Sequence, residues 1–127
     1  MKAQPLPTDL ELEILKVIWQ RGQATVREVY IELSEKRKIA YTTVLTMMGV
    51  LERKRHLRKK AGERAYVYTP TQPREQVVGG MVDEFVARVF NGSAKPLLVH
   101  LVEEAGKVRP EDLDEIEKLL QARRKRR

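Results

Sequence analysis

The sequence contains no cysteine, which excludes disulfide bonds, thiolate metal sites and cysteine nucleophiles. It has two histidines, His56 and His100, far apart, and neither has partners at the spacing of a metal site or a catalytic triad. No apolar run reaches roughly 18 residues, so the sequence predicts no membrane-spanning segment. Early acids stand where a secretory signal needs an apolar core. These absences disfavour an enzyme, a metalloprotein, a membrane protein or an exported one, and no cofactor is expected.

Positive charge is abundant but confined to part of the chain. The net charge is +7 over 127 residues. Between Lys36 and Arg64 there are ten lysines and arginines against two acids, whereas between Glu75 and Glu117 there are four against ten. A solvated surface has no need of such a local excess. It favours an anionic partner, most often nucleic acid.

Two short amphipathic helices are predicted first. Thr8 with Glu11, and Thr25 with Glu28, have the spacing of capping boxes, and Gly22 is expected to end the first helix. The short spacing of the two helices is typical of a helix-turn-helix. Residues 1–7 are expected to form a loose arm, and Trp19 is expected in the core.

A third helix is predicted from about Tyr41 to Lys54. Its buried face is Val44, Met47, Met48 and Leu51, and its opposite face is Thr43, Thr46, Val50 and Arg53. Threonine can offer a hydroxyl and a methyl group to base edges, so Thr43 and Thr46 are predicted to contact bases. The alternative, in which Thr42 or Thr43 only caps the helix, leaves Thr46 unexplained.

A basic hairpin is predicted after this helix, with strands at Leu57–Lys60 and Ala65–Thr69 and a turn at 61–64. Lys59, Lys60 and Arg64 cluster at its tip, and His56 is expected on the surface. The predicted DNA-contacting residues are Tyr41, Thr42, Thr43, Thr46, Val50, Arg53, Lys59, Lys60 and Arg64.

Three further helices are predicted to form a homodimer interface, because one is apolar almost all round and needs burial that a short chain does not supply. The predicted interface residues are Val78, Met81, Phe85, Leu97, Leu98, Leu101, Leu113, Ile116 and Leu120. The alternative is a compact monomer. Gly79-Gly80 indicates either a close helix approach or a hinge. The closing run ARRKRR is expected to be disordered, with contact to phosphates as the alternative.

The segments TDLELEILKVIWQRG, TVREVYIEL, YTTVLTMMGVLERK, AYVYTP and FNGSAKPLLVHLVEE give the chain a specific likeness. It resembles the BlaI/MecI/CopY family of penicillinase-type repressors. The resemblance implies a winged-helix N-terminal domain and a helical dimerisation domain. It also implies homodimers that bind inverted-repeat operators in double-stranded DNA.

The likeness has departures. Arg55 follows Lys54 where the family usually has glycine, so the third helix must end without one. Val50 stands where many members have a basic residue. In many resistance repressors a membrane sensor protease cuts an Asn-Phe bond, and the aligned position here is His100-Leu101. The cysteines of the copper-sensing branch are absent, which excludes copper sensing.

The combined prediction is a mostly α protein. Residues 1–71 form a winged helix-turn-helix with a two- to three-stranded wing, and residues 72–127 form a three-helix dimerisation domain. The predicted function is a cytoplasmic, homodimeric DNA-binding repressor. One alternative is a winged-helix protein-interaction module without tight DNA binding. Another is a regulator with a small-molecule pocket, which requires a cavity between the domains.

Overall fold

Three helices, a hairpin and three further helices follow one another in the computed structural model, which describes residues 5–104 and 106–126. In chain order the elements are α1 (Asp9–Arg21), α2 (Val26–Ser34), α3 (Tyr41–Arg53), β1 (Leu57–Ala61), β2 (Tyr66–Pro70), α4 (Arg74–Val89), α5 (Lys95–Val99) and α6 (Pro110–Lys125). A π-helical turn, His100–Glu104, follows α5. The chain divides into a first unit up to Met81 and a second unit from Val82 onward. The domain limits 1–71 and 72–127 stay a prediction.

Capping side chains set the starts of α1 and α2. The Thr8 hydroxyl accepts a hydrogen bond from the Glu11 amide, and the Glu11 carboxylate accepts one from the Thr8 amide, at 3.3 and 3.1 Å. Thr25 and Glu28 repeat the arrangement. Gly22 ends α1 with φ of 86°, a conformation that glycine adopts without strain. Both predicted capping boxes and the glycine cap are confirmed.

The core of the first unit lies where α1, α2 and α3 meet the base of the hairpin. Its central side chains are fully buried, and they are Ile14, Leu15, Ile18, Val29, Val44, Met48 and Leu51. Trp19 is partly buried against this core, and its indole N–H donates to the carbonyl of Gln72 at 3.1 Å. The predicted core position of Trp19 is therefore confirmed.

The hairpin, here called the wing (residues 57–70), pairs β1 with β2 in antiparallel register from Leu57–Pro70 to Ala61–Tyr66. A Cβ atom at Gly62 would lie 2.5 Å from the carbonyl oxygen of Ala65, so the turn requires glycine there. Tyr68 also exchanges two backbone hydrogen bonds with Ala24, at 3.0 and 2.8 Å. Ala24 therefore adds one isolated β-bridge to the two-stranded hairpin, which agrees with the predicted two- to three-stranded wing.

The segment before α1 is held against the end of α3. Pro7 is buried, the Lys54 ammonium donates to the carbonyl of Leu6 at 3.3 Å, and His56 Nε2 is hydrogen-bonded to the carbonyl of Pro5. His56 is 3% exposed, so its predicted surface position is wrong. The predicted loose arm is wrong for residues 5–7, because these carbonyls bind side chains about fifty positions later; residues 1–4 lie outside the described part.

The second unit exposes much apolar surface. Asn91 and Gly92, with φ of 54° and 88°, end α4. The apolar run after it does not form one regular helix, because α5 stops at Val99 and the π-helical turn follows. Its exposed large apolar side chains are Val82, Phe85, Val89, Leu98, Val99, Val102, Leu113, Ile116, Leu119 and Leu120.

The last helix extends further than expected. α6 continues to Lys125, so the predicted disorder of the basic tail is wrong over these residues, and Arg127 lies outside the described part. Three cations in the final turn, Arg123 to Lys125, face the negative end of the helix dipole, which favours helix there. None of the helices in the described ranges combines the length and hydropathy needed to cross a membrane.

Candidate nucleic-acid interface

One side of α3 is exposed to solvent from its first turn to Thr46 and again at Arg53. Thr42, Leu45, Thr46 and Arg53 are exposed and recur at helical spacing, so they form a single surface, here called the α3 face. Thr43 and Val50, which were predicted to share this surface, are only half exposed. The geometry therefore presents Thr42 more fully than Thr43.

Leu45 belongs to the α3 face and was missed by the sequence reasoning. Its side chain is 47% exposed between Thr42 and Thr46. The available signal was its position three residues after Thr42, but leucine in a helix is ordinarily assigned to the core. An exposed apolar side chain beside two threonines can contact the methyl group of thymine.

The first turn of α3 has no side-chain cap. Ala40 occupies the N-cap position, and the amides of Thr43 and Val44 donate to its carbonyl at 3.1 and 3.3 Å. Neither Thr42 nor Thr43 is a capping residue, which removes the alternative explanation for these threonines. An uncapped helix start carries partial positive charge and suits a phosphate group.

Tyr41 fixes this helix start against α2. Its ring meets the ring of Tyr30 edge to face, with centroids 5.5 Å apart and planes at 75°. The ring of Tyr41 also remains 44% exposed, so it can contact a ligand on its free side. Edge-to-face pairs of this kind contribute about 1 kcal/mol beyond the area that they bury.

Arg55 closes the far end of α3 in the left-handed conformation, with φ of 68°. The Lys54 amide donates to the carbonyl of Val50 at 2.8 Å, and the His56 amide donates to that of Leu51 at 2.9 Å. The predicted C-cap without glycine is confirmed. The Thr71 hydroxyl donates to the carbonyl of Arg55 at 2.6 Å and ties this bend to the end of the wing.

A buried ion pair joins α1 to the end of α3. The Lys54 ammonium lies 2.7 Å from the Glu11 carboxylate, whose side chain is 4% exposed. The same carboxylate oxygen caps the Thr8 amide. The direction in which α3 leaves the core is therefore coupled to the start of α1.

The basic residues of the wing do not form one cluster. Lys59 pairs with Tyr68 and lies on the face of the wing that carries this buried ring, while Lys60 pairs with Val67 on the opposite face; both lysines are exposed. The Lys59 ammonium lies 3.7 Å from the Glu52 carboxylate and 4.5 Å from the centre of the Tyr66 ring. Within residues 5–104 and 106–126, Arg53, Lys60 and Arg64 make no salt bridge.

The described residues bring together no group of three histidine, aspartate or glutamate side chains that could hold a metal ion. The exposed groups on and beside the α3 face are threonine hydroxyls, the uncapped helix start and the Arg53 cation. These groups suit a polyanion that also presents base edges.

Comparison with known proteins gives consistent matches. The model of the family described as penicillinase repressor matches residues 7–122. The transcriptional regulator BlaI of Mycobacterium tuberculosis is 38% identical over 100 residues, which are 77% of this chain and 72% of that protein. A penicillinase repressor of Bacillus licheniformis is 28% identical over 127 residues, which are 100% of this chain and 98% of that protein.

Two solved structures are similar. The DNA-binding domain of the repressor BlaI matches with a TM-score of 0.52 and 36% identity, over 58% of this chain and 90% of that one. The monomeric form of Bacillus licheniformis BlaI in complex with the blaP half-operator matches with a TM-score of 0.51 and 36% identity, over 59% of this chain and 92% of that one.

Proposed function

This chain belongs to the penicillinase repressor family, and on that premise we propose that it places the α3 face in the major groove of its operator while the wing lies along the backbone. The chain is a DNA-binding transcriptional repressor and not an enzyme. The observation that carries the proposal is the open, uncapped α3 face, with Thr42 and Thr46 exposed.

The contacts divide into those that position and those that specify. Thr42, Leu45 and Thr46 offer hydroxyl and apolar groups to base edges, which differ between base pairs in the major groove. Arg53, Lys60 and Arg64 bind phosphates, together with the start of α3. Phosphate contacts supply much of the affinity, whereas only the few base contacts discriminate between sequences.

Duplex binding tests this assignment. Affinities for genomic fragments and for a random duplex can be measured by fluorescence anisotropy. The logarithm of the affinity should fall linearly with the logarithm of the salt concentration, with a slope of about 0.9 for each neutralised phosphate. A complex that is insensitive to salt contradicts it. The alternative of a protein-interaction module predicts no tight duplex binding at all, so the same titration separates the two functions.

We also propose that two copies associate through α4, α5 and α6 and bind an inverted repeat. The support is the exposed apolar surface on these helices, which a second copy with two-fold symmetry can cover. A two-fold dimer matches the symmetry of an inverted repeat. The proposed interface keeps the nine predicted residues, of which Phe85, Leu98, Leu113, Ile116 and Leu120 are exposed and the others are partly buried.

Sedimentation analysis tests the dimer with a matched pair of variants. Leu98→Glu puts a charge on an exposed leucine of the second unit and should give monomers. Leu45→Glu puts the same charge on an exposed leucine of the α3 face and should leave the mass unchanged. Equal masses for Leu98→Glu and the unaltered chain contradict the proposed interface.

We extend the proposal to induction. A membrane sensor protease acts on the bond His100-Leu101, and the support is that this bond lies in the π-helical turn, with His100 exposed. Such turns interrupt regular helical hydrogen bonding and are frequent at functional sites. We place the protein in the cytoplasm, where its operator is. Limited proteolysis with a broad-specificity protease should cut first within residues 100–104, and a first cut elsewhere contradicts this assignment.

A further inference from the structure

A basic groove lies between the end of α3 and strand β1. It encloses about 420 Å³, and its walls are Glu52, Arg55, Leu57, Arg58, Lys59 and Thr71. Three of these residues are cations, and two of them, Arg55 and Arg58, were not among the predicted DNA contacts. Both are exposed.

The carboxylate of Glu52 faces these cations. It lies 3.7 Å from the Lys59 ammonium, and both side chains are 36% exposed. Lys59 is held on its other side by the ring of Tyr66, 4.5 Å from the ring centre. The formal charge of the groove is therefore +2 (three cations and one carboxylate), and one of its cations already has a partner inside the protein.

We propose that this groove is a further phosphate-binding site of the DNA interface, and that Glu52 is its internal counter-ion and a determinant of specificity. The proposal rests on the proposed function, because its ligand is a phosphodiester of the duplex that α3 contacts. Arg55 and Arg58 approach the phosphate, and Lys59 reaches it only by leaving Glu52.

The ion pair makes this contact conditional. A phosphate held loosely against the protein must compete with a carboxylate that is already in place, so a random duplex gains little from Lys59. A phosphate that base contacts hold in the groove competes at high local concentration and replaces the carboxylate. Glu52 therefore weakens non-specific binding more than operator binding, which raises the ratio between them.

Neutralising Glu52 tests the counter-ion. Glu52→Gln should raise the affinity for a random duplex about threefold at 0.1 M salt, the size of one exposed ion pair, and steepen the salt slope by about 0.9. Operator affinity should rise less. The control is Glu84→Gln, which removes a carboxylate from the Arg88 ion pair of α4 and should change neither quantity. An unchanged or lowered random-duplex affinity for Glu52→Gln overturns the counter-ion role.

Removing a cation tests the groove itself. Arg58→Gln should make the salt slope shallower by about 0.9 for the operator, because one phosphate contact is lost. A slope equal to that of the unaltered chain overturns the phosphate site. Thermal unfolding of each variant checks that the fold is intact, which is expected because both side chains are exposed or half exposed. If the unaltered chain shows no salt-dependent duplex binding, the proposed function itself fails, so the two failures are distinguishable.

Discussion

Arg55→Gly is expected to stabilise the protein and to weaken its binding to DNA at the same time. Arg55 has φ of 68°, a left-handed backbone conformation that costs a residue with a Cβ atom about 1–2 kcal/mol but that glycine adopts without strain. Glycine also gives the unfolded chain more conformational freedom, which offsets about 0.5–1 kcal/mol of this relief of strain. The net gain is about 1 kcal/mol in the free energy of unfolding.

The hydrogen bonds around Arg55 do not depend on its side chain. The bonds from the His56 amide to Leu51 and from the Thr71 hydroxyl to the Arg55 carbonyl involve no Arg55 side-chain atom, so they persist in the variant. Urea unfolding followed by circular dichroism should show the gain. In thermal unfolding it corresponds to a rise of about 4 °C, measured at one protein concentration because association shifts the midpoint.

Arg55→Ala is the matched control. It removes the same charge but keeps Cβ, so it should gain no stability, while its DNA salt slope should fall by about 0.9, as for Arg55→Gly. Equal stabilities of the glycine and alanine variants would show that Arg55 carries no backbone strain. Equal DNA affinities of both variants and the unaltered chain would remove Arg55 from the basic groove.

The remaining predictions concern two carboxylates. Lys54→Met should destabilise the protein by about 3 kcal/mol, because it leaves the Glu11 carboxylate buried at 4% exposure without its cation. Glu11→Gln should cost about half of that, since the Lys54 ammonium is more exposed and can be rehydrated. Urea unfolding that ranks the two variants in the reverse order contradicts this. The pKa of Glu28 is lowered, chiefly by the hydrogen bond from the Thr25 amide. The charge of Glu28 therefore stabilises the fold above its unfolded pKa, and this stabilisation is lost as the pH falls through the folded pKa. The stability deficit of Glu28→Gln should accordingly disappear in acid. A deficit that does not change with pH would contradict a stabilising role for the Glu28 charge.

Local patterns predicted the architecture of the first unit well. The capping boxes at Thr8 and Thr25, the glycine cap at Gly22 and the buried face of α3 all depend on residues within about a turn of one another. The left-handed position of Arg55 could also be predicted, because a helix that turns into a strand so abruptly needs one such residue.

Contacts between distant residues could not be predicted in this way. The burial of His56 depends on the carbonyl of Pro5, and the ion pair of Lys54 depends on Glu11, across about fifty and forty positions of the chain. The pairing of Lys59 with Glu52 follows from the register of the wing, which a run of basic residues does not specify. Charge composition indicated where the proposed interface lies, but only the register shows that Lys59 and Lys60 lie on opposite faces of the wing.

The affinity of Thr46→Glu for operator DNA shows whether the α3 face contacts operator bases. Thr46 is exposed, so the variant should unfold at nearly the same temperature as the unaltered chain. Its carboxylate would face the bases and phosphates of the groove, and operator binding in the salt titration should be lost. Retained operator affinity with an intact fold would mean that another surface recognises the operator.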